Sequence, residues 1–136
     1  MPKPIEILLV EDNAGDILLV RQALAGEQFP INLHVAVDGK QAVQILAARQ
    51  FEPDLVILDL NLPKLSGLSV LECSQASVPV VVFSSSDSPL DRRSAFELGA
   101  KDFVQKPTDL QAYGQVVSQM VRHLGVSWAF PSQAGA

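Results

Sequence analysis

Only one cysteine, Cys73, is present, so the chain has no partner for an internal disulfide. That suits a reducing compartment, and a cytoplasmic location is the expectation. No apolar run approaches the roughly 20 residues of a membrane-spanning helix, so no membrane partner is expected. The opening Met1-Pro2-Lys3-Pro4 leads into a strand-like run and then acidic residues. A secretory signal needs a longer apolar core and a small-residue cleavage site. Lysine- and arginine-rich runs are also missing, and the formal net charge is -5. A nucleic-acid-binding face needs clustered positive charge, so that partner class is excluded. No G-x-G-x-x-G follows the first apolar run, which removes the dinucleotide-binding fingerprint. Internal repeats and linkers are absent too.

What remains is a chain of 136 residues, 48% hydrophobic and 18% charged. Its length suggests one domain, large enough to bury a core without staples. The expected organisation is a folded unit over 1–125 and a short tail, 126–136, holding Trp128, Phe130 and Pro131.

Two kinds of segment alternate. Ile5 to Val10, Leu55 to Leu58 and Val78 to Phe83 are continuously apolar and rich in Val, Ile and Leu, as strands buried on both faces are. Ile31 to Val37 alternates apolar and polar residues, which suits an edge strand, and Asp102 to Gln105 is a short fifth candidate. Between them lie helical segments. Ala14 to Ala25 carries Ile17, Val20 and Leu24 on one face. Asp38-Gly39 opens a helix to about Arg49 with Val43 and Leu46 inward. Ser66 to about Ser74, and Ser88 to Leu98 stopped by Gly99, are two more. In the last, Asp109 to Leu124, the residues Leu110, Tyr113, Val117, Met120 and Leu124 recur at spacings of three and four. Thr108 or Asp109 caps its start. The order βαβαβαβαβα predicts an α/β fold, a five-stranded parallel sheet with helices on both faces.

In such a sheet all C-terminal strand ends share one edge, and ligands bind where neighbouring helices leave on opposite faces. The first strand ends in Glu11-Asp12, the third in Asp59 followed by Leu60-Asn61, the fourth in Ser84-Ser85 and the fifth in Lys106-Pro107. Three carboxylates, a hydroxyl and an ammonium therefore converge. Close carboxylates repel, and a hard divalent cation such as Mg2+ relieves the repulsion. A metal beside Asp59 also offsets charge on an incoming phosphoryl group. Lys106 can pair with phosphoryl oxygens as a compact point charge, and Ser84 can donate to them. An aspartate can attack phosphorus and form an acyl phosphate. The rest of the chemistry is positioning and charge stabilisation.

Glu11-Asp12, Asp59 with Pro63 and Gly67 behind it, Ser84 and Lys106-Pro107 stand in the order and spacing of a known family. From Ile5 to Leu124 the chain resembles the receiver domains of two-component response regulators. The resemblance implies a flavodoxin-like doubly wound sheet of strand order 2-1-3-4-5 with five helices. It implies that Asp59 accepts a phosphoryl group from a phosphohistidine on a sensor histidine kinase. Asp12, Asp59 and the Asn61 backbone carbonyl would bind Mg2+, with Glu11 nearby or acting through water. Ser84 and Lys106 would contact the phosphoryl group, and Ser84 with Phe103 would form the conformational switch. Lys106-Pro107 would carry a cis peptide bond, a state tolerated only before proline. Asn61 and Ser86 match positions that tune acyl-phosphate lifetime. The output would pass to a separate protein target, or through a homodimer, at the face of the fourth helix, fifth strand and fifth helix.

The match has departures. The stretch from Leu68 to Val78 is short for the family, so the third helix is expected to be clipped. Ser84 replaces the commoner threonine, and Phe103 the common tyrosine. Val10-Glu11-Asp12-Asn13, with Asp16 following, is also similar to the small stand-alone regulators paired with phytochrome-type kinases.

Each motif alone has a plainer explanation. Glu11-Asp12 suits a helix start, Ser84-Ser85-Ser86 a turn, Lys106-Pro107 a turn entry and Phe103 a core position. Their joint placement at four strand ends is what favours the site. His34 and His123 are read as neither phosphoryl donors nor ligands, Arg92-Arg93 as a solvated face and Cys73 as structural or incidental. Two other functions fit the residues less well. A haloacid-dehalogenase-type phosphatase needs an acid/base aspartate two residues after the nucleophile, where this chain has Asn61. A receiver that has lost phosphorylation would not keep all five groups.

Overall fold

A computed structural model describes residues 3–74 and 78–122. The expectations for His123, Leu124 and the tail at 126–136 lie outside the described residues. Ten elements alternate as foreseen: β1 (Ile5–Val10), α1 (Ala14–Ala25), β2 (Ile31–Ala36), α2 (Gly39–Ala48), β3 (Leu55–Leu58), α3 (Gly67–Cys73), β4 (Val80–Ser84), α4 (Pro89–Glu97), β5 (Asp102–Gln105) and α5 (Leu110–Met120). All strand pairs are parallel and the order is β2-β1-β3-β4-β5.

Strand side chains alternate between faces, and here the alternation divides the core in two. Leu8, Val10, Val56, Leu58, Val80 and Val82 meet Ala42 of α2, Val70 and Leu71 of α3 and Ala95 of α4. Ile5, Ile7, Leu9, Leu55, Ile57, Val81 and Phe83 meet Val20 and Leu24 of α1 and Tyr113, Val117 and Met120 of α5. Each fully buried aliphatic side chain contributes about 1.5–3 kcal/mol, so both faces of the three central strands are strongly specified. α1 and α3 therefore leave β1 and β3 on opposite faces, and the crevice between those two strand ends is the switch point.

The helix starts follow their caps. Asn13, Asp38, Ser66, Ser88 and Asp109 each accept a backbone N–H three residues on. Such caps stabilise a helix by about 1 kcal/mol. Three details differ from the sequence reading. β4 begins at Val80 rather than Val78, because Pro79 has no N–H for the ladder. Leu110 is 69% exposed rather than part of the buried stripe, since it directly follows the cap and precedes the turn that meets the sheet. No peptide bond is cis among the described residues, so the cis expectation at Lys106-Pro107 is corrected to trans. The intrinsic X-Pro preference for trans is about 0.5–1 kcal/mol, and Lys106 reaches its partners from the trans form. α3 is the shortest of the described helices, at seven residues, as the clipped segment implied.

Candidate functional site

Backbone hydrogen bonds carry the sheet one residue past its strands and fix the rim. The N–H of Glu11 donates to Ala36 O, that of Asp59 to Val10 O and that of Lys106 to Ser84 O, at 2.9, 3.0 and 2.8 Å. Glu11, Asp59 and Ser84 are the buried polar residues among those described, at 2%, 6% and 0% exposure. Gly67 supports the loop beyond β3. Its N–H donates to Leu60 O at 3.0 Å, and a methyl group there would collide with the Asp59 carbonyl and Leu60 Cα. That close approach is why this position, opening α3, carries glycine.

Lys106 Nζ lies among three carboxylates: 2.7 Å from Glu11 Oε2, 3.3 Å from Asp16 Oδ2 and 3.6 Å from Asp59 Oδ2. Glu11, Asp12 and Asp59 each offer a carboxylate oxygen, all within 4.8 Å of one another. The sheet thus brings together Glu11, Asp12, Asp59 and Lys106, from three strand ends. The backbone N–H of Asn61 points to Asp59 Oδ1 at 3.4 Å, a long and weak contact. Ser84 ends β4 beside them, its Oγ accepting from the Ser86 N–H at 3.3 Å. Ser86 Oγ donates to Asp91 Oδ2 at 2.6 Å, which ties this loop to the start of α4.

Negative charge outweighs positive here, and the titrations reflect it. Burial, reinforced by the Asp59 charge, pushes Glu11 up to about 7 despite its bond to Lys106. Burial works against the Lys106 ammonium, but the Glu11 hydrogen bond and the surrounding carboxylates outweigh it and raise its pKa. Oxygen donors on clustered carboxylates form the donor set of a hard divalent ion, so the residues present fit Mg2+. Glu11, Asp12 and Asp59 each offer an oxygen to such an ion, and Glu11 also accepts from Lys106.

Phe103 is buried in the α2–α4 core. Arg92 is exposed, as a solvated face requires, and its guanidinium also donates to Phe103 O at 3.2 Å and lies 5.4 and 5.8 Å from the ring centroids of Phe96 and Phe103. Arg93 is exposed. His34, away from the rim, pairs with Glu6 at 2.8 Å and stacks on Phe51 with centroids 3.7 Å apart. Cys73 is exposed.

Sequence reasoning missed two residues of the site. In the sequence Asp16 stands out only as part of a motif, and Tyr113 only as one residue of a helical stripe. Yet the Tyr113 hydroxyl donates to Asp16 Oδ1 at 2.7 Å. Burial, with the adjacent Asp16 carboxylate, raises the phenol's pKa, so it stays a proton donor. The available signal was a phenol in an otherwise apolar helical stripe together with a carboxylate in the first turn of α1.

Known proteins carry the same architecture. Residues 7–118 match the family described as response regulator receiver domain. The phosphorylated cyanobacterial phytochrome response regulator RcpA superposes with a TM-score of 0.85 and 33% identity, covering 90% of this chain and 94% of that one. The Mn(2+)-bound form of response regulator Rcp1 gives 0.77 and 29%, covering 93% and 96%. The probable transcriptional regulatory protein TcrX of Mycobacterium tuberculosis is 33% identical, covering 92% of this chain and 53% of that protein. The chain spans about half, or less, of the length of the curated relatives it matches. With the five-stranded order, the acidic rim and the family match in agreement, the chain belongs to the response regulator receiver domains of two-component signalling.

Proposed function

We propose that this receiver is a Mg2+-dependent phosphorylation switch whose phosphoacceptor is Asp59. The observation that carries the reading is the placement of Asp59: nearly buried at the switch point, with Lys106 Nζ 3.6 Å from Oδ2. The donor is a phosphohistidine on a sensor histidine kinase, in the cytoplasm. An Asp59 oxygen forms the new bond to phosphorus as the phosphorus–nitrogen bond of the donor breaks. The electron pair stays with the imidazole, which takes up a proton. Lys106 pairs with the phosphoryl oxygens, and the Ser84 hydroxyl donates to them. Asp12, Asp59 and the Asn61 carbonyl would hold the metal, with Glu11 nearby or acting through water. Bound Mg2+ supplies positive charge beside the nucleophile. Ser84 and Phe103 serve as the switch, and Arg92, joined to both β5 and α4, links Phe103 to the outer surface.

Output leaves through the face of α4, β5 and α5 to a protein target or a second copy of the chain. Exposed Leu90, Phe96, Leu98 and Leu110, on α4, its C-terminal end and the start of α5, support that choice. The test is incubation with Mg2+ and acetyl phosphate, followed by intact mass and sedimentation. One labile phosphoryl group should appear in the wild type and vanish in Asp59→Asn. Full labelling of the variant would remove Asp59 from its role, and a monomer in both states would exclude the homodimer.

A further inference from the structure

Tyr113 is the chain's one tyrosine. It lies on α5 at 4% exposure, its ring edge-on to Phe83, the residue before Ser84, with centroids 5.2 Å apart. Its hydroxyl holds one oxygen of Asp16 at 2.7 Å, and the other oxygen of Asp16 lies 3.3 Å from Lys106 Nζ. A single carboxylate on α1 therefore joins the Asp59 site to α5, across 97 residues of chain.

Lys106 is shared by three acceptors, and a phosphoryl group on Asp59 would add strong anionic oxygens beside it. Asp16 is the most exposed of the three carboxylates, its side chain at 22% against 3% for Glu11 and 7% for Asp59. Water screens its attraction for Lys106 most, so it is the partner Lys106 gives up first. Once Lys106 turns to the phosphoryl group, Asp16 loses a counterion, and the Tyr113 hydroxyl carries more of its charge. The bond from the Tyr113 hydroxyl is charge-assisted, and it strengthens when the lysine that shared the Asp16 charge withdraws, so the change is felt on α5.

We propose that Asp16 is a positioning residue that holds Lys106 before phosphorylation and transmits its departure to α5 through the Tyr113 hydroxyl. The proposal rests on Asp59 being the phosphoacceptor. By reciprocity, a group that senses occupancy of a site also affects binding at that site by the same factor.

The full chain is prepared with 3-fluorotyrosine, which labels this one position, and its fluorine resonance is recorded with Mg2+ and then with Mg2+ and beryllium fluoride. Calorimetry follows beryllium fluoride binding independently. The wild-type resonance moves on binding. In Asp16→Asn, which keeps an acceptor for the hydroxyl but no charge for Lys106, the movement is largely lost although beryllium fluoride still binds. Tyr113→Phe, which preserves the ring packing, binds beryllium fluoride about fivefold more weakly, the lower end of ordinary coupling. A wild-type resonance that stays still while calorimetry shows binding overturns the relay and leaves the Asp59 reading intact. So does an Asp16→Asn resonance that moves as in the wild type, or an unchanged affinity in Tyr113→Phe. Absence of binding to the wild type defeats the Asp59 reading, and the relay with it.

Discussion

Replacing Asp59 with asparagine should make the metal-free protein more stable. Asp59 sits within 4.8 Å of carboxylate oxygens on Glu11 and Asp12, and 3.6 Å from the Lys106 ammonium. At an effective dielectric constant of about 20, each repulsion at that distance costs about 3–4 kcal/mol and the attraction returns about 4–5. The two repulsions together exceed the attraction. Asp12 is exposed, so its share is screened, which leaves a net penalty of about 1–2 kcal/mol. The substituted amide keeps an oxygen for the Asn61 N–H and removes the charge. Thermal unfolding in EDTA at about pH 8, a unit above the Glu11 value of about 7, keeps Glu11 ionised in the wild type. For a chain of this length the variant should unfold about 3–6 °C higher. Adding Mg2+ should reverse the order, because ligand bound only to the folded state stabilises the wild type selectively. Lys106→Met in the same EDTA buffer should lose about 3 kcal/mol or more, since it strands buried carboxylates without their cation. An Asp59→Asn protein no more stable than wild type in EDTA, or one that keeps its advantage in Mg2+, would refute the charge reasoning.

Glu11 gives the metal-free protein a pH dependence of defined sign. Burial raises its pKa from 4.5 to about 7, so between those values the folded chain holds a proton that the unfolded chain has released. Its stabilising contribution is complete below about 4.5 and is lost as pH rises through about 7, with a slope of at most about 1.4 kcal/mol per pH unit. Urea midpoints across this interval should fall more steeply in the wild type than in Glu11→Gln, and equal slopes would count against the assignment. Gly67→Ala must displace the Asp59–Leu60 backbone. A cost of about 1–3 kcal/mol in denaturant unfolding is expected, with slower phosphoryl uptake from acetyl phosphate, and an alanine variant equal to wild type in both measurements would show that the loop can yield.

Much of this molecule is written locally. The strands β1, β3 and β4 are legible because a strand buried on both faces reads as an unbroken apolar run, and the helix starts because one side chain, such as Asp38 or Ser88, makes each cap. The rim of the site follows from topology, since parallel strands deliver their last residues to one edge. What escaped depends on tertiary geometry. Nothing in the helical period of α5 says that the Tyr113 hydroxyl meets a carboxylate on α1, and nothing in that of α4 says that the exposed Arg92 also reaches the Phe103 carbonyl. The Lys106-Pro107 isomer was likewise inaccessible, because the local preference before proline is too small to decide it. Leu110 fits the stripe in spacing, but one turn at a helix start is not yet over the sheet.

The brevity of α3 has a thermodynamic consequence. Seven residues make about two turns, and helices under about 12 residues barely persist alone. α3 exists because Val70 and Leu71 are buried and because Gly67 is hydrogen-bonded to Leu60. The loop leans on α3 in return, and on α2 through the bond from Gly39 N–H to Pro63 O at 3.4 Å. Helix and loop thus form one cooperative unit with a common opening free energy. Solvent cannot melt one and spare the other, so the loop that follows Asp59 keeps its shape through a helix that has no life of its own.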